Sequence, residues 1–235
     1  MADISDQEIP AVDAVHIWTI GLGQSSLDLP ELLSNDEMSR FSGISHDQAR
    51  RHFLRSRTSL RLILASYLRC NAADIVFRYN DNGKPEISFP ASPPLRFNLS
   101  HSGEYCLLAV AAENEVGVDV EQVQTARDYL ALAQRFYTQS EFHLLQNTDD
   151  ESLFYKIWVL KEASVKARGM KLLTGMGRFK CTVSGDGELD VADKQAQGDT
   201  GNWSVRQWQP DAGSIAAVVV RCADVEFVEK TLTNQ

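Results

Sequence analysis

The chain has 235 residues and a mass of 26.2 kDa, enough for one large domain or two small ones with a core that needs no disulfide staples. Its 43% hydrophobic and 23% charged residues are ordinary for a soluble protein, and a net charge of −9 argues against whole-protein attraction to nucleic acid or anionic lipid. No apolar run approaches the ~18–20 residues of a membrane span, and the acidic opening MADISDQEIP is unlike a targeting leader, so a cytoplasmic protein is expected.

Residues 13–20 alternate as a strand, and Leu33 to Met38 read as a short helix capped by Ser34. From Gln48 to Cys70, Phe53, Leu60, Leu64 and Leu68 recur at helical spacing, with Arg50, Arg57 and Arg61 close together and Arg51 and Arg55 on an adjoining line. Strands at 74–79 and 86–89 flank the turn Asn80-Asp81-Asn82-Gly83, and Pro90 to Pro94 form a connector. Three β-like runs follow at 97–102, 105–112 and 116–123, a meander. Arg127–Arg135 and Gln139–Gln146 read as helices, the second opened by a Thr138/Glu141 capping box. A longer helix runs from Asp150 to Gly169, and strands near 178–183, 202–208 and 214–221 complete the pattern. Each half offers a long helix followed by several strands. Helices mixed with meanders predict an α+β fold in place of a doubly wound sheet.

Charge is uneven. Residues 40–84 hold nine basic side chains (Arg40, Arg50, Arg51, Arg55, Arg57, Arg61, Arg69, Arg78, Lys84) against three acidic ones, which suggests a local anion site on an acidic protein. The four cysteines, Cys70, Cys106, Cys181 and Cys222, show no CxxC spacing and are expected to be reduced, buried hydrophobes without zinc.

Four features carry chemistry. In VGVDVEQV, Asp119 and Glu121 lie at i, i+2 on a strand and face one way; they form either a solvated edge or a pair that Mg²⁺ relieves. In FYKIWVLKEASVKARG, Glu162 and Lys166 are i, i+4 on a helix, either a surface ion pair or a metal or proton-accepting carboxylate with a phosphate-binding lysine. His101 in FNLSHSG is structural or catalytic, and Lys84 sits between a turn glycine and a proline, a good posture for a phosphate contact. The chain lacks GxxxxGK[ST], HExxH and GxSxG, which leaves Mg²⁺-dependent work on a phosphate-bearing substrate.

The order GKP (83–85), FNLSHS (97–102), VGVDVE (116–121), RFYTQSE (135–141) and FYKIWVLKEASVKARG (154–169) closely resembles the Sfp-type 4′-phosphopantetheinyl transferases, over about residues 13 to 221. The resemblance implies a pseudo-dimer of two similar α+β halves, 1–112 and 113–235, the second carrying the metal-binding carboxylates. Coenzyme A would lie between the halves. It implies transfer of the 4′-phosphopantetheine arm of coenzyme A to a serine of acyl or peptidyl carrier proteins, with release of adenosine 3′,5′-bisphosphate.

By motif position Asp119, Glu121 and Glu162 would hold Mg²⁺, and Lys84, Ser100, His101 and Lys166 would contact coenzyme A phosphates. Arg51 would add a contact, with Arg50 or Arg57 as the alternative. Glu162 and Lys166 would be catalytic, Glu162 taking the serine proton unless a water on the metal does so. Glu141 matches an acidic residue near the metal.

The segment SNDEMSRFSG departs from members with two lysines there: Arg40 can replace one phosphate contact, whereas Glu37 would repel phosphate. Residues 170–180, with Lys171, Arg178 and Lys180 beside Met170, Leu172, Leu173 and Met176, are either a carrier-docking patch or a loop packed on its own core. Partners are thus coenzyme A and carrier proteins, without nucleic acid or membrane, and the enzyme is expected to be a monomer. A Mg²⁺-dependent phosphohydrolase of nucleotide-like substrates and an inactive carrier-binding module are the alternatives.

Overall fold

A computed structural model describes residues 4–91, 95–124, 129–183, 188–195 and 203–232. Parts of three expected elements (Pro94, Arg127 and residue 202) lie outside the described residues. The elements in chain order are β1 (Ala14–Gly21), α1 (Asn35–Gly43), α2 (Asp47–Leu68), β2 (Val76–Tyr79), β3 (Pro85–Phe89), β4 (Arg96–Ser102), β5 (Tyr105–Ala111) and β6 (Val116–Gln122). They continue with α3 (Tyr129–Phe136), α4 (Gln139–Gln146), α5 (Ser152–Ala167), α6 (Leu172–Gly175), β7 (Phe179–Val183), β8 (Leu189–Asp193), β9 (Ser204–Trp208), β10 (Ser214–Val220) and β11 (Glu226–Thr231). The fold is α+β, as the order of elements predicts.

Two sheets dominate, β11-β1-β5-β4 and β6-β10-β9, with β2-β3 and β7-β8 as separate hairpins. Strand alternation sorts side chains into three cores. Cys106, Leu108 and Val110 of β5 face α2, meeting Leu60, Ile63 and Leu64. Leu107, Ala109 and Ala111 point the other way, onto Val116, Val118 and Val120 of β6 and Ala216, Val218 and Val220 of β10. The far face of the second sheet, through Ile215, Ala217 and Val219, packs on Ile157, Leu160 and Ala163 of α5. The inner strands are therefore covered on both faces, which is why β5, β6 and β10 read as almost continuous apolar runs.

β4 and β6, each at the edge of its own sheet, are stitched by side chains. Asn98 Oδ1 accepts from Val118 N–H at 2.9 Å, Ser100 Oγ donates to Asp119 at 2.7 Å, and Ser102 Oγ accepts from Gln122 N–H at 3.1 Å. These residues alternate along β4, so one face of one strand supplies the seam. On the other side of β6, Gly117 admits α5: a Cβ there would stand 1.9 Å from the Ala163 carbonyl oxygen. Only glycine lets helix and strand approach so closely.

The expected strand at 74–79 starts late because Ala72–Asp74 form a 3-10 turn opened by the Asn71 side chain. β8 and β11 are strands beyond those expected. β11 runs parallel to β1, with Ala14 opposite Glu226 and Thr19 opposite Thr231, so a strand late in the chain joins the sheet of β1, β5 and β4. The four cysteines are unpaired. Among the described residues, no helix is long and apolar enough to cross a membrane.

Candidate active site

β6 delivers Asp119 and Glu121 to the α5 side of its sheet, and α5 brings Glu162 to meet them. One carboxylate oxygen from each lies within 4.8 Å of the other two. Lys166, one turn below Glu162, places its ammonium 2.5 Å from Asp119 Oδ1, 3.0 Å from Ser100 Oγ and 3.5 Å from Glu162. Ser100 donates to the same Asp119 oxygen, and Ser102 Oγ lies 3.4 Å from Glu121. The i, i+2 and i, i+4 spacings in the sequence thus converge on one cluster.

The donor set fits a hard divalent cation on two further grounds. Asp119 is 2% exposed, and its second oxygen, Oδ2, is buried without a hydrogen bond. Burial, and next the charge of Asp119, push the Glu162 carboxyl up to about 7, against a lowering by Lys166. Carboxylates this crowded call for a cation, and all-oxygen donors suit Mg²⁺. Burial would lower the Lys166 ammonium, but Asp119 and Glu162 outweigh it and raise it.

A protonated Glu162 cannot ligate, so metal affinity should climb as pH rises through about 7. Mn²⁺ titrations at about pH 6 and pH 8 are expected to differ by about tenfold, tighter at the higher pH. Without metal the linkage runs the other way. The folded state binds this proton more tightly than the unfolded chain, so Glu162's contribution to stability is lost as pH rises from about 4.5 to about 7.

His101 follows Ser100 on β4. Desolvation, then the charges of Lys166, Arg57 and His52, lower its pKa, so it stays neutral beside a cationic surface that favours an anion. Of the arginines expected in this region, Arg57 is the one whose charge acts on His101. Arg50 pairs with Asp47, and Arg51 is exposed near Asp28. Arg40 is exposed too, its guanidinium over the Tyr79 ring at 5.5 Å. No described bond links Arg40 or Arg51 to the carboxylates.

Much of the basic segment proves structural. Arg61 is fully buried, holding Glu37 at 2.7 Å and the carbonyls of Ala72 and Ile75. Arg55 binds Asp28 and the Leu22 carbonyl. Glu37 is also the acidic member of the α1 capping box, so the phosphate repulsion expected of it is neutralised inside the fold.

Three other expected groups have partners within the chain. Lys84 Nζ donates to the carbonyls of Ala167 at 2.8 Å and Val116 at 3.2 Å, and burial lowers its pKa to about 8. Glu141 lies outside the carboxylate cluster: it caps α4, accepts from Cys181 N–H, and holds the fully buried Lys161 at 2.7 Å. Arg178 is committed to Asp193 through two 2.7 Å hydrogen bonds and Met176 is fully buried, whereas Leu173 on α6 is 69% exposed. A cavity of about 420 Å³ between the β2–β3 hairpin and the end of α5, lined by Arg78, Lys84, Arg96 and Arg168, does not include the carboxylates. Asn98 and Ser102 are neighbours of the site that motif reading passed over; the period-2 polar pattern of FNLSHS was the available signal for both.

The model of the family described as the 4′-phosphopantetheinyl transferase superfamily matches residues 115–220, and that described as 4′-phosphopantetheinyl transferase, N-terminal, matches residues 24–114. The 4′-phosphopantetheinyl transferase HetI of Nostoc sp. (strain PCC 7120) is 34% identical over 219 residues, 88% of each chain. The putative 4′-phosphopantetheinyl transferase slr0495 of Synechocystis sp. is 36% identical over 63% of this chain and 61% of its own. The 4′-phosphopantetheinyl transferase Sfp of Bacillus subtilis is 29% identical over 68% of this chain and 75% of its own.

Proposed function

We propose, from the premise that the chain belongs to the 4′-phosphopantetheinyl transferase superfamily, that it moves the phosphopantetheine arm of coenzyme A onto a serine of acyl and peptidyl carrier proteins. The observation that carries the reading is the meeting of Asp119, Glu121 and Glu162 around one point, with Lys166 bonded to Asp119. Residues 1–112 and 113–235 serve as the two halves, with β11 crossing between them.

Asp119, Glu121 and Glu162 would hold Mg²⁺, which when bound neutralises the diphosphate and the charge that develops on the leaving group. The carrier serine oxygen attacks the phosphorus that bears pantetheine, and the bond from that phosphorus to the bridging oxygen breaks. The electron pair departs with adenosine 3′,5′-bisphosphate, and Glu162 takes the serine proton on the carboxylate oxygen that it does not give to the metal. Lys166, kept protonated by Asp119 and Glu162, offsets negative charge at the reacting phosphates. Arg57, Arg51 and Arg40 form the cationic flank for the rest of the nucleotide, with the neutral His101 ring beside it, and this flank supplies binding and orientation. Lys171 and Leu173, on an exposed turn just after α5, offer an apolar knob with a basic neighbour for the carrier.

Intact-mass spectrometry of apo-carrier proteins incubated with coenzyme A and Mg²⁺ tests the reaction. A gain of one phosphopantetheine, abolished by chelation, is expected. Release of adenosine 3′,5′-bisphosphate without a carrier would point instead to a phosphohydrolase, and no release at all to a silent binding module.

A further inference from the structure

The turn between β2 and β3 belongs to the first half but spends its hydrogen bonds on the second. Asn80 Nδ2 and Asn82 Nδ2 both donate to the Gly169 carbonyl, at 3.1 and 2.8 Å. Lys84 Nζ donates to the carbonyl of Ala167, the last residue of α5, and to that of Val116, where β6 begins. A helix ends in carbonyls without intrahelical partners and at the negative end of its dipole. Here another part of the chain caps them and brings a cation.

Both sides of the contact are shaped for it. Asn80 Oδ1 accepts the backbone N–H groups of Asn82 and Lys84 at 2.9 Å each, which fixes the amide so that its nitrogen faces Gly169. Gly169 has φ +60, and a Cβ on it would stand 2.6 Å from Asn80 Nδ2. Lys166 and Glu162 lie on the same helix, one and five residues before Ala167. Their partners Asp119 and Ser100 lie on β6 and β4, so any axial slip of α5 moves one side of the site against the other.

We propose that the Asn80–Lys84 turn is a positioning device: it fixes α5 against β6 so that Glu162 and Lys166 meet Asp119 and Glu121, and Lys84 acts through the helix instead of on substrate phosphate. The kinetic part rests on the transferase reading; the metal-binding part does not. Lys84→Met keeps the apolar stem and removes both bonds, and Asn82→Ala is a milder change at an exposed residue. Each variant is compared with the full-length wild type by Mn²⁺ titration without coenzyme A, by kcat and KM for coenzyme A, and by circular dichroism at the assay temperature.

Lys84→Met is expected to stay folded and to bind Mn²⁺ about tenfold more weakly, as loss of a support behind metal ligands does. Its kcat should fall between about 10-fold and 100-fold with KM for coenzyme A nearly unchanged, the effect of misplacing a catalytic group. Asn82→Ala should shift both in the same direction by less, and it decides alone if Lys84→Met does not fold. A raised KM with unchanged Mn²⁺ affinity would overturn the proposal in favour of a direct phosphate contact. A lower melting temperature with intact Mn²⁺ affinity and kcat would reduce the turn to a structural cap, and a wild type that binds no Mn²⁺ would remove the geometry the turn is said to set. Weakened Mn²⁺ binding in a protein that transfers nothing would sink the transferase reading and leave the positioning role standing.

Discussion

Asp119→Asn is expected to reduce carrier modification by about three orders of magnitude, the upper scale for losing one preorganised electrostatic contact to a transition state. The amide keeps the shape and can still bond Ser100 through its oxygen. It brings no negative charge to the buried Oδ2 position, which has no hydrogen-bond partner, and none to the Lys166 ammonium 2.5 Å from Oδ1. Removing the Asp119 charge also removes a cause of the raised Glu162 carboxyl, so that group should titrate lower and be a weaker base. Because the substitution relieves crowded carboxylates in a near-isosteric way, the melting temperature should change little while Mn²⁺ affinity collapses. Retained Mn²⁺ binding with near-normal turnover would mean that the three acids do not share one ion.

Lys161→Met should destabilise the protein by about 3–5 kcal/mol, measured by urea unfolding, because it strands a buried carboxylate. Lys161 is wholly buried and bonds Glu141 at 2.7 Å and the Phe179 carbonyl at 2.9 Å, with the Tyr137 ring beside it at 5.3 Å. Glu141 in turn ties Thr138 at the start of α4 and Cys181 in β7. The pair thus joins α4, α5 and β7 at one point, and its loss is a large share of a typical 5–15 kcal/mol total. A double variant, Lys161→Met with Glu141→Gln, should recover part of the loss, since no charge is then left unpaired. A single variant within about 0.5 kcal/mol of wild type would show that the pair contributes only as an apolar contact would.

Local periodicity made most of the fold legible. Amphipathic spacing gave the long helices, and the capping residues Ser34 and Thr138 placed the starts of α1 and α4. β8 and β11 escaped because charges at Asp190 and Asp193, and at Glu226, Glu229 and Lys230, interrupt the apolar pattern of Leu189–Asp193 and Glu226–Thr231; only the partner strand makes them strands. The site was half visible. Spacing alone puts Asp119 with Glu121, and Glu162 with Lys166, on common faces. That the two pairs meet depends on Gly117 letting α5 settle onto β6, a long-range fact.

Arg55 and Arg61 show the opposite limit. A basic residue on a helix reads as solvent-facing, yet both are buried, because Asp28 and Glu37 pair their charges and backbone carbonyls accept from their guanidinium groups. The anion-binding surface is correspondingly smaller than the nine basic residues imply.

The parallel pairing of β11 with β1 also sets an order of events. A ribosome delivers β1 about two hundred residues before β11, so the first sheet waits, with one margin bare, until Glu226–Thr231 have been made. During that interval the exposed margin of β1 is open to foreign strands, and the nascent protein depends on speed of release or on a chaperone to reach the closed sheet.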